Sequence, residues 1–402
     1  MSVENAFSKA KSMYQVCYLI NHAAFFVSHR LPLAIAASQQ GYQVSLVTGQ
    51  AGSPEMEASA EHVLARTDLV HKRVNFRSSG VNPFLEAIGV LQLILELRRL
   101  KPTLLHCASP KGVLYGGIAA RLAGVPCLVL AVSGMGYAFT SSSKPSASRR
   151  LIASVYNTVA RFAFKHKNLH VIVQNKDDRD GVVHLQGVKQ ADVTLIPGSG
   201  VDLGLYPELS VATKEKVVLF PARVLYDKGV LEFVRAAEAI RKERADWRFV
   251  IAGAAGYDNP SAVSSDEVQG WVDAGIVEWL GHVENMPEVY LKSAIVCLPS
   301  YREGMPKSLL EAAAAGCAVV TTDVVGCREA IEPGVTGDLV PVRDVAALTE
   351  SLVGLIDNEE RRAEYGRMGR VRAVERFSLE SVCDKTLSIY KDLIQDGSFN
   401  HG

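Results

Sequence analysis

The chain has 402 residues, of which 48% are apolar and 21% are charged, and this composition excludes an intrinsically disordered protein. Its length predicts two domains, since a single hydrophobic core rarely serves more than about 250 to 300 residues. The net charge is zero, but residues 1–205 hold 21 Lys and Arg against 12 Asp and Glu, a balance of +9, and the remainder hold 22 against 31, a balance of −9. We therefore expect the N-terminal half to attract anions.

The cysteines and the N-terminal stretch indicate the cellular compartment. None of the seven cysteines forms a CxxC pair, and most lie in apolar runs, which is typical of buried thiols in a reducing compartment. The opening stretch MSVENAFSKAKSMYQVCYLI lacks the features of a secretory signal. No apolar run reaches the roughly 18 residues of a transmembrane helix. We therefore expect a cytoplasmic protein that is soluble or peripheral on the inner face of the cell membrane.

The N-terminal half alternates short β-rich runs with helix-length segments. Near-continuous apolar strands joined by helical crossovers predict a parallel sheet covered on both faces, in a Rossmann-like domain over residues 1–205. No G-x-G-x-x-G follows the first strand, which disfavours a nicotinamide cofactor. The predicted strands are residues 14–20, 42–48, 103–109, 127–133, 170–175 and 193–198.

Two further segments of this half carry polar patterns. Residues 146–167, SASRRLIASVYNTVARFAFKHK, predict a helix whose charges are all positive. It could be a core-facing helix with a solvated basic face, or a helix lying on an anionic membrane, and its place in the basic half favours the membrane. Asn175 followed by Asp178 predicts a helix N-cap, so we expect no metal site at the DRD stretch 178–180.

The pattern breaks at residues 198–216, where Gly, Pro and short polar residues dominate, and then restarts. This predicts a second Rossmann-like domain over residues 206–377. A C-terminal helix and tail, residues 378–402, are expected to pack back on the N-terminal domain. The predicted strands of the second domain are residues 217–224, 248–253, 276–281, 294–300 and 318–323.

A bend in the second domain has the features of an anion site. The loop YREGMP, residues 301–306, lies between a predicted strand and a helix predicted to begin at Pro306. A helix N-terminus combines backbone amides with the positive end of the helix dipole, and this combination binds anions. The backbone amides at this bend are those of Gly304, Met305 and Lys307.

Charged side chains surround the bend. Glu303 directly precedes the Gly-Met-Pro bend, residues 304–306. Glu311 lies about 7.5 Å beyond Pro306 along the helix, which is close to the distance from a diphosphate to the ribose of a nucleotide. The two carboxylates could therefore bind polyols on either side of a diphosphate. Arg223 and Lys228 follow another strand, where cations commonly bind phosphates. The alternatives are exposed surface carboxylates and a salt bridge between Lys228 and a neighbouring acidic residue.

The chain resembles the family-4 retaining glycosyltransferases over essentially its whole length. The resemblance rests on Arg223, Lys228, the E-x7-E pair Glu303 and Glu311, and the segments GCREAIEPGVTGDLVPV, IPGSGVDLGLYP and SHRLPLAIAASQQGYQVSLVT. The resemblance implies the GT-B fold, in which two Rossmann-like domains face each other across a cleft. The N-terminal domain would bind the acceptor and the C-terminal domain a nucleotide-diphosphate sugar, with UDP as the expected nucleotide. Arg223 and Lys228 would bind the diphosphate, Glu303 the transferred sugar and Glu311 the ribose, and no metal or cofactor would be required.

The acceptor side departs from the family pattern. HCASPKG is similar to the family segment HxHSPK but has Ala108 at the second histidine, and SGMGYAF stands where many members have a further histidine. Basic residues here could contact an acceptor phosphate or fill the vacant histidine role, or they could be a core histidine and solvated charges. The acceptor-side candidates are His29, Arg30, His106, Lys111 and Gly134.

The resemblance predicts transfer of a hexose or N-acetylhexosamine, with retention, to a polyprenyl-diphosphate-linked sugar in bacterial surface-polysaccharide or lipopolysaccharide O-antigen biosynthesis. The expected partners are the nucleotide sugar, the lipid-linked acceptor and an anionic membrane surface, and no nucleic acid. Two alternatives stay open. One is a nucleotide-sugar 2-epimerase of the same fold, and the other is a non-catalytic sugar-nucleotide-binding subunit of an assembly complex.

Overall fold

The computed structural model describes residues 14–50, 54–77, 83–133, 158–208, 214–256 and 259–398. The chain forms two compact units, Met1–Ile196 with Val382–Gly402, and Pro197–Ser381. The predicted ranges 1–205, 206–377 and 378–402 were drawn from composition and stay a prediction of how the functional domains divide. No helix in the described ranges is both long and apolar enough to span a bilayer.

The first unit is built on a parallel sheet with the spatial strand order β3-β2-β1-β4-β5-β6-β7. Its strands are β1 (Gln15–Ile20), β2 (Gln43–Gln50), β3 (Val70–Arg77), β4 (Leu104–Ala108), β5 (Cys127–Val132), β6 (Leu169–Val173) and β7 (Val193–Leu195). The parallel Rossmann-like sheet is confirmed. Strand β3 was not predicted because it is an edge strand, where polar side chains such as the successive His71, Lys72 and Arg73 leave only a weak apolar signal.

Helices cover this sheet. They are α1 (Ala23–His29), α2 (Leu31–Gln39), α3 (Pro54–Leu64), α4 (Pro83–Leu100), α5 (Pro110–Ala123), α6 (residues 158–163 of the described part) and α7 (Lys176–Gln186). Alternate residues of each strand point to opposite faces, so Cys17 and Leu19 of β1 join one core cluster with Leu93 and Leu97 of α4. The predicted cap of α7 is confirmed, since the Asn175 side chain accepts a hydrogen bond from the Asp178 amide.

The second unit repeats the architecture with the strand order β10-β9-β8-β11-β12-β13. Its strands are β8 (Glu215–Phe220), β9 (Arg248–Ile251), β10 (Glu278–Trp279), β11 (Ser293–Leu298), β12 (Ala318–Thr322) and β13 (Gly337–Val340), all paired in parallel. Strand β13 was not predicted because its four residues, GDLV, hold only two large apolar side chains. Carboxyl ends of neighbouring parallel strands meet at one edge, which is where such folds bind ligands.

The helices of the second unit follow the strands in the expected alternation, and a last helix ends the described chain. They are α8 (Val230–Arg241), α9 (Ser265–Asp273), α10 (Met286–Lys292), α11 (Lys307–Ala314), α12 (Val325–Ala330), α13 (Val345–Ile356), α14 (Glu359–Arg372) and α15 (Leu379–Ser398). Most of α15 belongs to the first unit. There the hydroxyl of Tyr390 lies 2.7 Å from Nδ1 of His106 and 3.2 Å from the hydroxyl of Tyr18.

The contact between α15 and β4 is expected to make the first unit less stable in acid. Burial lowers the pKa of His106 well below its usual range, and the Arg30 guanidinium lowers it further. Below about pH 6.5 the unfolded histidine binds a proton that the folded one does not. Lowering the pH therefore lowers the free energy of unfolding, and this histidine contributes up to about 1.4 kcal/mol per pH unit. We expect His106→Asn, which keeps a polar partner for Tyr390, to reduce this slope.

Thermal unfolding followed between about pH 5 and pH 7 tests this expectation, because linkage relates the slope to the protons bound on unfolding. Burial also lowers the pKa of other histidines of the unit, which both proteins retain, so the difference in slope isolates His106. These histidines are His71, His166 and His170. Equal slopes for the two proteins would show that His106 does not cause the acid sensitivity.

Candidate functional site

The bend between β11 and α11 lies at the carboxyl edge of the second sheet. The sequence predicted Pro306 as the first residue of α11. In the structure Pro306 is instead the N-cap residue, and the helix begins at Lys307. Its extended backbone, with φ −72° and ψ 112°, turns the chain into the helix. Gly198, at φ +74°, packs on the bend so closely that a Cβ there would lie 3.1 Å from the Cγ of Met305. The start of the second unit therefore supports the predicted anion site from one side.

Glu303 and Lys228 form an ion pair that joins two loops of this edge. The Nζ of Lys228 lies 2.5 Å from Oε1 of Glu303, which also accepts a hydrogen bond of 2.8 Å from the Ser300 hydroxyl. The side chain of Glu303 is only 11% exposed. The predicted alternative, a salt bridge from Lys228 to an acidic neighbour in sequence, is not the observed pairing. Two candidate residues 75 positions apart are thus in direct contact.

The backbone holds these two loops in register. Gly229 has φ +75° and ends the short 3-10 turn that carries Lys228. A Cβ on Gly229 would lie 2.1 Å from the carbonyl oxygen of Pro299, so only glycine permits this approach. The Tyr301 amide also donates to the carbonyl of Asp227 over 2.9 Å. Lys228 therefore reaches Glu303 because main-chain contacts fix both loops, not because of side-chain flexibility.

A third element supports the bend from behind. The amide of Gly326, in the first turn of α12, donates to the carbonyl of Glu303 over 3.2 Å. A Cβ at Gly326 would lie 2.4 Å from the carbonyl oxygen of Gly304. The glycine of the GCREAIEPG segment therefore allows α12 to pack against the loop. Its role is structural, and sequence inspection alone did not assign it.

Glu311 lies on α11, one turn beyond the bend, in a partly buried environment. Burial raises the pKa of its carboxyl group, and Lys307, whose Nζ lies 3.6 Å away, opposes this shift most strongly. Hydrogen bonds from Tyr290 and Tyr206 lower the pKa of Glu311 further. Both tyrosines are buried, and neither was singled out from the sequence. The only sequence signal was the position of Tyr206 in IPGSGVDLGLYP.

Arg223 is exposed on the loop between β8 and the turn that carries Lys228. Gly253, just after β9, allows this loop to approach, since a Cβ there would lie 1.9 Å from the carbonyl oxygen of Ala222. The Val224 amide then donates to the carbonyl of Ala254 over 3.0 Å. Arg223, Lys228, Glu303 and the bend thus follow neighbouring strands β8 and β11 at the same sheet edge.

Two acceptor-side candidates are interior residues. Arg30 is 7% exposed between α1 and α2, and His106 is 1% exposed within the sheet. The burial of His106, with its bond to Tyr390, favours the alternative in which it is a core histidine. Arg30 donates to the carbonyl of His29 over 3.0 Å and lies near Tyr18 and Tyr390, and its contact with an acceptor phosphate stays a prediction.

The other acceptor-side candidates differ in setting. Lys111, in the first turn of α5, binds Glu86 with 2.6 Å between Nζ and Oε1, so an acceptor phosphate would compete with an existing ion pair. His29 is partly exposed, stacks on Phe25 with 4.4 Å between ring centroids and bonds the Ser28 hydroxyl over 2.6 Å. Gly134, like residues 146–157 of the predicted basic helix, lies outside the described residues.

A polar cluster missed from the sequence links the carboxyl ends of β1 and β4. The side-chain oxygen of Asn21 accepts hydrogen bonds of 2.7 Å from the Ser109 hydroxyl and 3.0 Å from the Gly112 amide. Ser109 has φ 72°, a conformation that is costly for a residue other than glycine. The cluster compensates for this strain and positions the N-terminus of α5. The sequence signals were the polar dipeptide Asn21-His22 after β1 and the segment SPKG, residues 109–112, after β4.

Comparison with known proteins agrees with this arrangement. Residues 215–358 match the family model of glycosyl transferases group 1, and residues 15–180 match the glycosyl transferase 4-like model. The chain is 26% identical over 393 residues to the N,N'-diacetylbacillosaminyl-diphospho-undecaprenol alpha-1,3-N-acetylgalactosaminyltransferase of Campylobacter jejuni, covering 94% of this chain and 98% of that one. It is 27% identical over 319 residues to the UDP-Gal:alpha-D-GlcNAc-diphosphoundecaprenol alpha-1,3-galactosyltransferase of Escherichia coli, covering 76% and 79%.

Solved structures show the same fold at low sequence identity. Anabaena HepE in complex with UDP superposes with a TM-score of 0.73 at 15% identity, covering 94% of this chain and 100% of that one. WaaG, a glycosyltransferase involved in lipopolysaccharide biosynthesis, gives a TM-score of 0.68 at 16% identity, covering 94% and 99%. The predicted GT-B fold is therefore confirmed. Each half of the chain thus matches a glycosyltransferase family model, the 4-like model in the N-terminal half and the group 1 model in the C-terminal half, and the protein is a glycosyltransferase.

Proposed function

We propose that this glycosyltransferase transfers a sugar from a UDP-sugar to a hydroxyl group of a polyprenyl-diphosphate-linked sugar, with retention, in the assembly of a bacterial surface polysaccharide. The observation that carries the proposal is the Lys228–Glu303 pair at the carboxyl edge of the second sheet. In this pair an ammonium group, which is able to bind phosphate, lies beside a carboxylate, which is able to accept hydrogen bonds from hydroxyls. A sugar diphosphate presents the matching groups, phosphate oxygens and sugar hydroxyls, side by side.

The names of the relatives support the acceptor class and the linkage. The Campylobacter jejuni and Escherichia coli relatives are both named for diphosphoundecaprenol-linked sugars and for alpha-1,3 linkages. The Escherichia coli relative is named for UDP-Gal, and the HepE structure contains UDP. An alpha product made from an alpha-linked nucleotide sugar corresponds to retention. We extend these properties to this chain because the similarity to the Campylobacter jejuni relative covers nearly the full length of both chains.

The donor would bind with its diphosphate at the bend. Arg223, Lys228 and the N-terminus of α11 would offset the charge of the phosphates, and Glu311 would accept hydrogen bonds from the ribose hydroxyls. The ammonium group of Lys228 has three donors, so it can keep Glu303 and still donate to a phosphate oxygen. Glu303 would thereby be held in position to accept hydrogen bonds from the hydroxyls of the transferred sugar.

In the reaction, the bond between the anomeric carbon and the diphosphate oxygen breaks and a bond from that carbon to the acceptor oxygen forms. Negative charge grows on the departing diphosphate, and preorganised cations and backbone amides stabilise it most where it develops. The acceptor hydroxyl proton passes to the departing phosphate oxygen, so no protein base is needed. The phosphates are already bound by cations and a helix end, and the proposal requires no metal.

We place the protein at the inner face of the cell membrane, where a lipid-linked acceptor and a cytoplasmic UDP-sugar meet. The described part of the chain contains no helix able to span a bilayer, and we propose peripheral attachment. The basic balance of residues 1–205 favours attraction to anionic lipid. The membrane helix predicted at residues 146–167 is described only from residue 158 onward.

Transfer assays with purified protein test the proposal. The assay combines synthetic polyprenyl-diphosphate N-acetylglucosamine with UDP-glucose, UDP-galactose and their N-acetylated forms, and follows products by mass spectrometry. We expect a disaccharide lipid from one donor, and its loss in Glu303→Gln but not in Lys216→Ala, a lysine of β8 paired with Asp246. Epimerised donor in the absence of acceptor would establish the epimerase alternative. UDP-sugar binding without turnover for every donor and acceptor would establish the non-catalytic subunit.

A further inference from the structure

Helix α4 of the first unit is apolar on two opposite faces. Its inner face packs in the core through Leu93, Ile94 and Leu97, which are almost completely buried. On the outer face Leu91 is 61% exposed and Leu95, one turn further on, is 53% exposed. A surface helix of a globular protein normally has one apolar stripe and a polar opposite face. The outer face of α4 is therefore suited to a second apolar environment.

The apolar surface continues onto the two helices beside α4. Arg98 of α4 donates to the carbonyl of Leu122 over 3.0 Å, which connects the exposed leucines to the end of α5. Arg121 donates to the carbonyl of Phe162 over 2.7 Å, and its guanidinium lies 4.0 Å from the centre of the Phe162 ring. Leu122 is 49% exposed and Phe162 is 40% exposed. We call Leu91, Leu95, Leu122 and Phe162 the apolar patch.

Cations lie on and just after the helices that carry the apolar patch, and the two carboxylates of α4 are paired with cations. Glu96 pairs with Arg99 and Glu86 pairs with Lys111. The sequence has no other carboxylate from residue 87 to residue 176. Besides Arg99, the exposed cations on these helices and just after them are Arg98, Lys101, Arg161, Lys165 and Lys167. Long basic side chains with apolar stems can lie along an apolar surface and place their charge at its edge.

We propose that the apolar patch and its cations dock on the surface of a lipid bilayer that contains anionic lipid. Apolar groups at the centre would enter the boundary between headgroups and acyl chains, and the surrounding cations would lie at the anionic headgroups. A second copy of this chain fits less well, because a two-fold contact would bring two cationic surfaces against each other. The docking site so assigned includes α4, whereas the sequence pointed only to residues 146–167. The inference rests on the proposed transfer to a lipid-linked acceptor.

Vesicle co-sedimentation of the full chain tests the proposal, with vesicles of phosphatidylcholine alone and vesicles that also contain phosphatidylglycerol. We expect binding to the anionic vesicles only, weakened at high salt. The double variant Leu91→Gln with Leu95→Gln should reduce binding by about tenfold or more, since it removes apolar groups that would enter the bilayer. The double variant Arg161→Gln with Lys165→Gln should also reduce binding by about tenfold or more, since each cation near such a surface contributes roughly fivefold. Leu280→Gln with Val342→Gln, at exposed positions of the second unit, is the matched control and should bind as wild type.

Binding that is unchanged in both double variants, or that is equal for neutral and anionic vesicles, would overturn the proposal. A wild-type dimer that Leu91→Gln with Leu95→Gln converts to a monomer, measured by sedimentation velocity without lipid, would assign the patch to self-association instead. Transfer to a short water-soluble acceptor separates this proposal from the proposed function. The patch variants should retain that transfer, whereas its absence in the wild type would contradict the proposed function and leave vesicle binding to decide the docking surface.

Discussion

Replacing Lys228 with alanine is expected to weaken UDP binding by about 10-fold to 100-fold, since hydrogen bonds to charged groups contribute about 1.5 to 3 kcal/mol. Arg223→Ala should act in the same direction but less strongly. The reason for the difference is the Lys228–Glu303 contact of 2.5 Å. Without Lys228, the largely buried carboxylate of Glu303 loses its cation and repels the incoming diphosphate. Titration calorimetry with UDP measures both effects.

A double-mutant cycle separates the two contributions of Lys228. In the background of Glu303→Gln there is no carboxylate to leave unpaired, so Lys228→Ala should cost less UDP affinity than in the wild type. Lys216→Ala serves as the matched control, because Lys216 pairs with Asp246 at the opposite end of β8. Unchanged affinity in both Arg223→Ala and Lys228→Ala would remove the two residues from the phosphate-binding role.

The substitutions Glu303→Gln and Glu311→Gln are expected to have opposite profiles. Glu303→Gln should lower kcat/KM for the complete donor by about 100-fold or more, because removing one preorganised polar group from a reacting centre costs that much in other enzymes. Its effect on UDP affinity should be much smaller, since its proposed partner is the sugar. Glu311→Gln should weaken UDP itself by about tenfold, since its proposed partners are the ribose hydroxyls.

Steady-state kinetics with the UDP-sugar, together with UDP titration of the same two variants, decide between these roles. Circular dichroism and thermal unfolding control for structural damage, which matters more at Glu311 because the buried Tyr206 and Tyr290 bond its carboxylate. Equal profiles, or a larger loss of UDP affinity in Glu303→Gln than in Glu311→Gln, would contradict the proposed division between sugar and ribose.

The sequence alone determined the fold class, because it depends on local patterns. Apolar runs separated by helix-length segments predicted eleven of the thirteen described strands, and the two that were missed are β3 and β13. Both lie at a sheet edge, where a strand has one neighbour and needs fewer apolar residues. The candidate donor-binding residues were also predicted from the sequence, since a charged loop between a strand and a helix N-terminus indicates an anion site even without knowledge of its spatial neighbours.

What only the tertiary structure decided are the contacts between distant parts of the chain. Lys228 meets Glu303 across 75 positions because Gly229 can approach the backbone of Pro299, and His106 became a core residue through Tyr390, 284 positions away. The exposure of Leu91 and Leu95 on α4 also depends on the fold, since Leu93 and Leu97 of the same apolar run are buried in the core. Burial and pairing depend on which surfaces the folded chain brings together, and spacing along the sequence does not specify that.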